Sequence, residues 1–310
     1  MREDTSLGDY TTMKVGGVAD YFYVAQNIDE LVKAILIAKE LGIKYFIIGG
    51  GSNILVSDNG YRGLIILNRA KNLAFLADKS QVIADSGVAL SRLIMEAADH
   101  DMGGMEGLFG IPGTIGGAVY GNVGAHGVEV SQFIKSVTLL SVQGKIIRCK
   151  IDSLKPKYRS SYLKDQKKKN NDSPIVLSVK FQFSPNKKEE VVKKLSYYQN
   201  IRMEKQPYNE LSCGSVFRNT TLINTNTNTN SHELIFGKEL TAGYLLDQAG
   251  AKKLCEGGMK VSHKHANFIV NNGKGKAIEV RNLIEKMRQK VAEKDGVVLE
   301  EEIEYVGEWK

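Results

Sequence analysis

Two clusters of glycine interrupt this sequence where bare backbone could hold a phosphate. One is Gly49-Gly50-Gly51-Ser52-Asn53; the other is Gly110-Ile111-Pro112-Gly113-Thr114-Ile115-Gly116-Gly117, running on to Gly121-Asn122-Val123-Gly124-Ala125-His126-Gly127. Glycine lets successive N–H groups approach an anion with no Cβ in the way. No glycine is followed by Lys-Ser or Lys-Thr, which removes a P-loop for ATP or GTP. Gly49 and Gly51 follow a β-type run, but Ile54 stands where a dinucleotide fingerprint needs its third glycine, which speaks against a Rossmann site. One such loop is as well read as a tight turn between strands. Two of them suit a long, diphosphate-containing cofactor gripped by main chain from two sides.

The elements that must position these loops can be read from periodicity. Asn27 and Glu30 have the spacing of a helix cap, and Leu31, Ala34, Ile35, Ala38 and Leu41 form one apolar face, which predicts a helix over Ile28 to Leu41. Strands are expected at Lys44 to Ile48, Ile54 to Val56, Leu64 to Leu67 and Gln81 to Asp85, with a second helix from Ser91 to His100. Ten glycines between Gly103 and Gly127 predict a winding loop. A hairpin follows, Phe133 to Val142 with Lys145 to Lys150, and then a strand from Ile175 to Phe183; the polar stretch Lys164 to Ser173 between them reads as an exposed loop. Glu189 to Met203 reads as a helix that stops before Gln206-Pro207, a boundary. Beyond it are expected a strand at Ser215 to Arg218, a helix from Ala242 to Gln248 capped by Thr241, a strand from His265 to Val270, a helix from Ala277 to Lys294 ended by Gly296, and a last strand from Val297 to Tyr305. Asn219 to Ser231, with alternating Asn and Thr, reads as a mobile surface insertion.

At 310 residues the chain is about twice the usual single domain, so two or three domains are expected. With 42 % hydrophobic and 25 % charged residues, it is neither a disordered chain nor a disulfide scaffold. No apolar run nears the roughly 20 residues of a membrane span, and the acidic start Met1-Arg2-Glu3-Asp4-Thr5 does not resemble a secretory leader, so no membrane insertion and a cytoplasmic location are expected. Cys149, Cys213 and Cys255 are odd in number and widely spaced, as befits reduced thiols. The net charge of +7 lies partly in runs such as Lys167 to Lys169 with few interleaved aromatics, so no nucleic-acid partner is expected. His263 and His265 could form a metal pair, but no third ligand is evident and no metal is expected.

Nine blocks in order carry a resemblance. They are Thr11 to Asp20, Gly49 to Leu55, Gly110 to Gly113, Asn122 to Gly127, Tyr158-Arg159-Ser160-Ser161, Ser212 to Phe217, Ala242 to Gly250, His265 to Asn271 and Leu299-Glu300-Glu301-Glu302-Ile303. Together they closely resemble the UDP-N-acetylenolpyruvoylglucosamine reductase (MurB) family, over almost the whole chain. The resemblance implies an α+β fold: a two-part FAD-binding region of the vanillyl-alcohol-oxidase/PCMH type plus an α/β substrate-binding domain. Its expected limits are 1–70 with 303–310 returning to it, 71–200, and 201–302. It also implies non-covalent FAD, NADPH as co-substrate and reduction of a UDP-sugar enolpyruvyl ether to UDP-N-acetylmuramate for peptidoglycan, by a protein taken to be a monomer.

The family's functional positions transfer residue by residue. Arg159 would bind the substrate carboxylate, Ser215 would protonate the α-carbon and Glu302 would polarise the intermediate. FAD would be held by Gly49, Gly50, Gly51, Ser52, Asn53, Ile54, Leu55, Ile111, Pro112, Gly113, Thr114, Gly116, Gly117, Ala118, Asn122, Gly124 and Ala125. Tyr158, Arg202, Lys205, Asn219, Lys252 and His265 match positions that contact the UDP-sugar. Two departures stand out: Thr220 replaces the usual proline after Asn219, and the segment between Ser161 and Pro174 is too short for the tyrosine-bearing lid of the longer enzymes. Cys213 lies beside Ser215, but this reduction needs no covalent intermediate with the protein. The alternatives are an FAD-dependent sugar or alcohol oxidase on the same fold, which would need no α-carbon proton donor, and a non-catalytic flavin- or nucleotide-binding module.

Overall fold

Asn27 caps the first helix as its spacing predicts. Its Oδ1 accepts from Glu30 N at 2.9 Å, and the Glu30 carboxylate accepts from Gln26 N at 2.9 Å in return. The helix runs Ile28–Glu40 and buries Leu31, Ile35 and Ala38. Those three pack against Ala25, Leu64 and Ile66 of a four-stranded sheet in the order Arg2–Ser6, Val18–Ala25, Tyr61–Asn68, Tyr45–Ile48. The computed structural model describes residues 1–170, 172–220 and 241–309. The Asn/Thr insertion, apart from Asn219 and Thr220, lies outside the described residues.

A second sheet, antiparallel throughout, has the order Ile146–Lys150, Ile134–Leu140, Ile175–Gln182, Gln81–Asp85, Leu73–Leu76. Its strands alternate in burial, and the inward side chains Val82, Ala84, Val137, Val179 and Phe181 form a core with the helix Leu90–Ala98 and with Val191 and Leu195 of the helix Lys188–Lys205. Leu140 and Leu177 of this sheet pack into the cluster beneath the first helix, so the two sheets share an apolar seam. A third core gathers the helices Ala242–Gln248 and Ala277–Asp295 around the short strands Cys255–Glu256, Met259–Val261 and Ile269–Asn271, and takes in Met13, Val15 and Leu55. The strand Glu304–Val306 pairs in parallel with Ile54–Val56, Glu304 lying opposite Ile54. Among the described residues no helix is long and apolar enough to cross a membrane.

Several expectations need correction. The glycine-dense stretch holds a six-residue helix, Ile115–Tyr120, which packs closely on Ser86: a Cβ on Gly116 would stand 3.1 Å from Ser86 Cβ. Lys164 to Ser173 is not an exposed loop: residues Tyr162–Asn170 form a helix that buries Leu163 and Lys164. The expected strand at Ser215 to Arg218 makes only single bridges, Ser215 to Phe268 and Phe217 to Glu301, since it runs between two different partners. The later strands are shorter than their apolar runs suggested, Ile269–Asn271 and Glu304–Val306. In the first, Phe268 N turns back to His265 O and keeps residues 265–267 out of the ladder.

The cap gives a direct test of the first helix. Asn27→Ala should lower the unfolding free energy by about 1 kcal/mol, read by urea denaturation; an unchanged midpoint would show that tertiary packing alone holds the helix.

Candidate active site

The two glycine loops meet. A Cβ on Gly50 would stand 2.9 Å from Gly113 Cα, and one on Gly49 would stand 2.2 Å from Thr114 Oγ1, so the loops can touch only because these positions are glycine. Ser52 Oγ donates to Pro112 O at 2.9 Å across the contact, and Arg69 Nη1 donates to Gly49 O at 3.2 Å, steadying the first loop from its own sheet. A cavity of about 780 Å³ opens beside it, within the size range of cofactor sites. Gly49 to Ile54, Ile111 to Thr114, Gly116, Gly117, Ala118, Gly124 and Ala125 line it. At Gly117 a Cβ would meet no atom closer than Thr114 Oγ1 at 4.0 Å, so the space that glycine leaves free belongs to the cavity. Two of the expected positions are not in the wall. Leu55 is wholly buried in the third core, and Asn122 lies behind the lining, donating to Glu129 Oε2 at 2.8 Å and Lys157 O at 3.0 Å.

Arg159, Ser215 and Glu302, more than fifty residues apart in sequence, all line this cavity. Arg159 sits in a tight turn, with φ +52° and with Lys157 and Ser160 exchanging backbone hydrogen bonds around it. Its Nη2 donates to Gly124 O at 2.6 Å, its Nε lies 3.2 Å from Glu302 Oε1, and its guanidinium lies over the Tyr158 ring at 4.9 Å. Glu302 is placed by its own backbone: Glu302 N donates to Val216 O at 2.8 Å, and Asn53 Nδ2 donates to Glu302 O at 3.1 Å. The segment carrying Ser215 therefore runs alongside the one carrying Glu302, with the first glycine loop holding the other side. Burial pushes the Glu302 carboxyl above its ordinary range, against the pull of the Arg159, Lys164 and Arg218 charges. This corner thus offers a fixed cation, a carboxyl paired with it whose proton affinity burial raises, and a hydroxyl. Cys213 also lines the cavity, but burial pushes its thiol up to about 12, so it supplies no thiolate at neutral pH.

Of the positions matched to UDP-sugar contacts, Arg202 lies in the lining. It is buried; its Nε donates to Phe109 O at 3.3 Å and Nη1 to Gln206 Oε1 at 3.2 Å, while buried Nη2 has no hydrogen-bond partner among the described residues. Tyr158, Lys205, Asn219, Lys252 and His265 are not in the lining. Asn219 Oδ1 accepts from Ala242 N at 3.1 Å, Lys252 pairs with Asp247 at 3.0 Å, and His265 Nδ1 accepts from Asn267 N at 3.2 Å. Sequence reasoning missed Tyr120, Lys164, Tyr208, Phe268 and Glu304, all in the wall. For Lys164 the overlooked signal is Leu163 just ahead of it, whose burial in the core anchors a helix turn that a solvated loop would not need.

The raised Glu302 carboxyl has a thermodynamic sign. Above the ordinary glutamate value of 4.5 the folded protein keeps a proton that the unfolded chain releases, so this group's contribution to stability falls as pH rises from there toward its folded pKa. Glu302→Gln removes that slope. Denaturant unfolding of both proteins at pH 5 and pH 7.5 should show the variant gaining on the wild type as pH rises; a reversed trend would mean that the Arg159 attraction outweighs burial.

Comparison with known proteins adds an independent line. Residues 206–306 match the family described as UDP-N-acetylenolpyruvoylglucosamine reductase, C-terminal domain, and residues 19–150 match a family described as FAD binding domain. The reductase of that name from Carboxydothermus hydrogenoformans is 35 % identical over 306 residues, covering 99 % of this chain and 94 % of its own. The one from Acaryochloris marina is 36 % identical over 306 residues, covering 98 % and 92 %. The crystal structure of the Thermus caldophilus enzyme superposes with a TM-score of 0.77 at 29 % identity, covering 97 % of each chain. The chain therefore belongs to the UDP-N-acetylenolpyruvoylglucosamine reductase family.

Proposed function

We propose that this chain catalyses the NADPH-dependent reduction of UDP-N-acetylglucosamine enolpyruvate to UDP-N-acetylmuramate through non-covalently bound FAD, in the cytoplasmic assembly of peptidoglycan precursor. The observation that carries this reading is the convergence of Arg159, Glu302 and Ser215 on the cavity walled by the two glycine loops. The family matches span both loops and the segment bearing Ser215 and Glu302. On this reading residues 1–70 with 303–310, and residues 71–200, hold the cofactor between them, while 201–302 covers the substrate.

The wall fits FAD in kind. It offers bare backbone at Gly113 and Gly117, apolar side chains such as Leu90, Ile111 and Val176, and a buried arginine nitrogen with no partner. Among the described residues the lining has no histidine, and its one cysteine is the Cys213 thiol held neutral by burial, which favours a flavin held without a covalent bond. When bound, FAD supplies two-electron chemistry, accepting a hydride from NADPH and delivering it to the β-carbon of the enolpyruvyl group.

The protein's own task begins where that hydride arrives. Charge then accumulates on the substrate carboxylate, and a positioned guanidinium, Arg159, is the group in the wall suited to bidentate contact with it. Glu302, 3.2 Å from Arg159 and with its proton affinity raised by burial, polarises the same intermediate, donating to its oxygens when it carries a proton. Ser215 holds the proton that the α-carbon needs to finish the reaction. Water exclusion falls to Phe268 and the buried loop backbone around it.

Two measurements test this reading. Denaturing the purified protein should release free FAD, and a preparation that neither carries nor takes up FAD would overturn the assignment. Ser215→Ala should let NADPH bleach the flavin at a near-normal rate yet slow reoxidation by the enolpyruvyl sugar by roughly 10² to 10⁴, with Ser215→Cys retaining more activity. Anaerobic stopped-flow absorbance separates the two steps. Equal slowing of both would place Ser215 in the flavin site, and no slowing of either would assign the proton to another residue.

A further inference from the structure

Lys164 is the most buried partner in any ion pair among the described residues. Its side chain is 3 % exposed, and its Nζ lies 2.9 Å from Glu304 Oε1. Burial, and after it the Glu304 charge, push the Tyr120 phenol up, and the Lys164 ammonium stands 5.8 Å from the Tyr120 ring centroid. All three side chains line the cavity. The charges around them are Asp165, Lys167 and Asp172 on one side and Glu302 with Arg159 on the other.

What the pair joins matters more than its burial. The helix Tyr162–Asn170 is rooted in the core of the second sheet through Leu163, and Ser161 Oγ ties its start to Tyr120 O at 2.7 Å. Glu304 is rooted elsewhere: Glu304 N donates to Asn53 O at 3.0 Å, and its strand pairs with Ile54–Val56, the direct continuation of the first glycine loop. Lys164 and Glu304 therefore link the two walls at a point remote in sequence from the contact of Ser52 with Pro112. A buried ammonium stripped of its carboxylate is strongly disfavoured, so the walls cannot separate here without water entering the cavity.

We propose that the Lys164–Glu304 pair is a brace across the cavity, and that Lys164 and Glu304 are positioning residues that set how tightly the flavin is held. This rests on the reading of the cavity as an FAD site. It differs from a direct electrostatic role in the sign it assigns to Glu304. FAD carries two phosphate charges, so if only the local field mattered, removing the Glu304 carboxylate would tighten binding. A brace demands that it loosen.

The test uses full-length holoprotein diluted in steps, with FAD released at each step separated by ultrafiltration and read by fluorescence. Lys164→Met and Glu304→Gln should each weaken FAD retention roughly tenfold, and the double variant should be no weaker than either single, since the two changes break one link. Because Lys164→Met places an apolar chain where a charge was, thermal melting accompanies each measurement; Glu304 is partly exposed, and Glu304→Gln keeps the experiment decisive even if the lysine variant fails to fold. Retention by Glu304→Gln equal to or tighter than wild type overturns the brace, as does a lowered melting temperature with unchanged retention. Additive losses, near a hundredfold in the double variant, would also overturn it, by showing two independent contacts. A wild-type protein that releases no FAD on denaturation would instead sink the functional reading itself, and the brace with it.

Discussion

The contact of Gly50 with Gly113 is the constraint on which the rest of the site depends. Two sheets, each with its own apolar layer, can enclose a shared cavity only if backbone from each reaches the same point, and side chains on both loops would hold them apart. The 2.9 Å approach of a notional Gly50 Cβ to Gly113 Cα shows how little room there is. Once the loops touch, polar groups on either side find partners across the junction: Ser52 with Pro112, and Asn68 Nδ2 with Ser86 Oγ at 2.8 Å. Each bond alone contributes about 1 kcal/mol. Together they fix the register of one wall against the other, which a cofactor spanning both walls requires.

Charge is arranged with the same economy. Arg159 is held from three directions, by Gly124 O, by Glu302 and by the Tyr158 ring, in a backbone conformation with φ +52°. A non-glycine residue at such a torsion stores strain of order 1–3 kcal/mol that surrounding contacts must offset. The guanidinium is therefore oriented before any ligand arrives, and the orientation is set by its own turn, the Gly124 backbone and Glu302. Glu302 is oriented from the third core and the first glycine loop. The pair thus forms where three separately packed regions meet, and the position of Ser215, one bridge away from Phe268, follows from the same meeting.

Local signals carried much of this in the sequence. Asn27 with Glu30 marks a helix start that the hydrogen bonds reproduce, and the glycine clusters mark the loops that line the cavity. The residue types of Arg159, Ser215 and Glu302 said nothing alone; only their place in an ordered set of blocks did. What could not be read were features decided by partners far away in the chain. Lys164 sits in a run that looks solvated, and it is buried because Glu304, 140 positions later, neutralises it. Asn219, expected from the resemblance as a substrate contact, also accepts the amide of Ala242, a partner that nothing in the sequence marked. Leu55 and Asn122 fall in loop motifs that line the cavity, but the strand pleat turns one toward the third core and the left-handed turn at φ +44° aims the other at Glu129.

The strand Glu304–Val306 pairs with Ile54–Val56 across 250 positions, Glu304 lying opposite Ile54. Ordering so long a segment must be paid for in entropy before the pairing returns anything, and loops of this length close slowly compared with hairpins or helix turns. The glycine loop can thus form with its own sheet early, while its outer edge waits for a strand that joins only after the intervening cores have condensed. From topology this seam is expected to close late on the folding route, and the cavity to be complete only once it has closed.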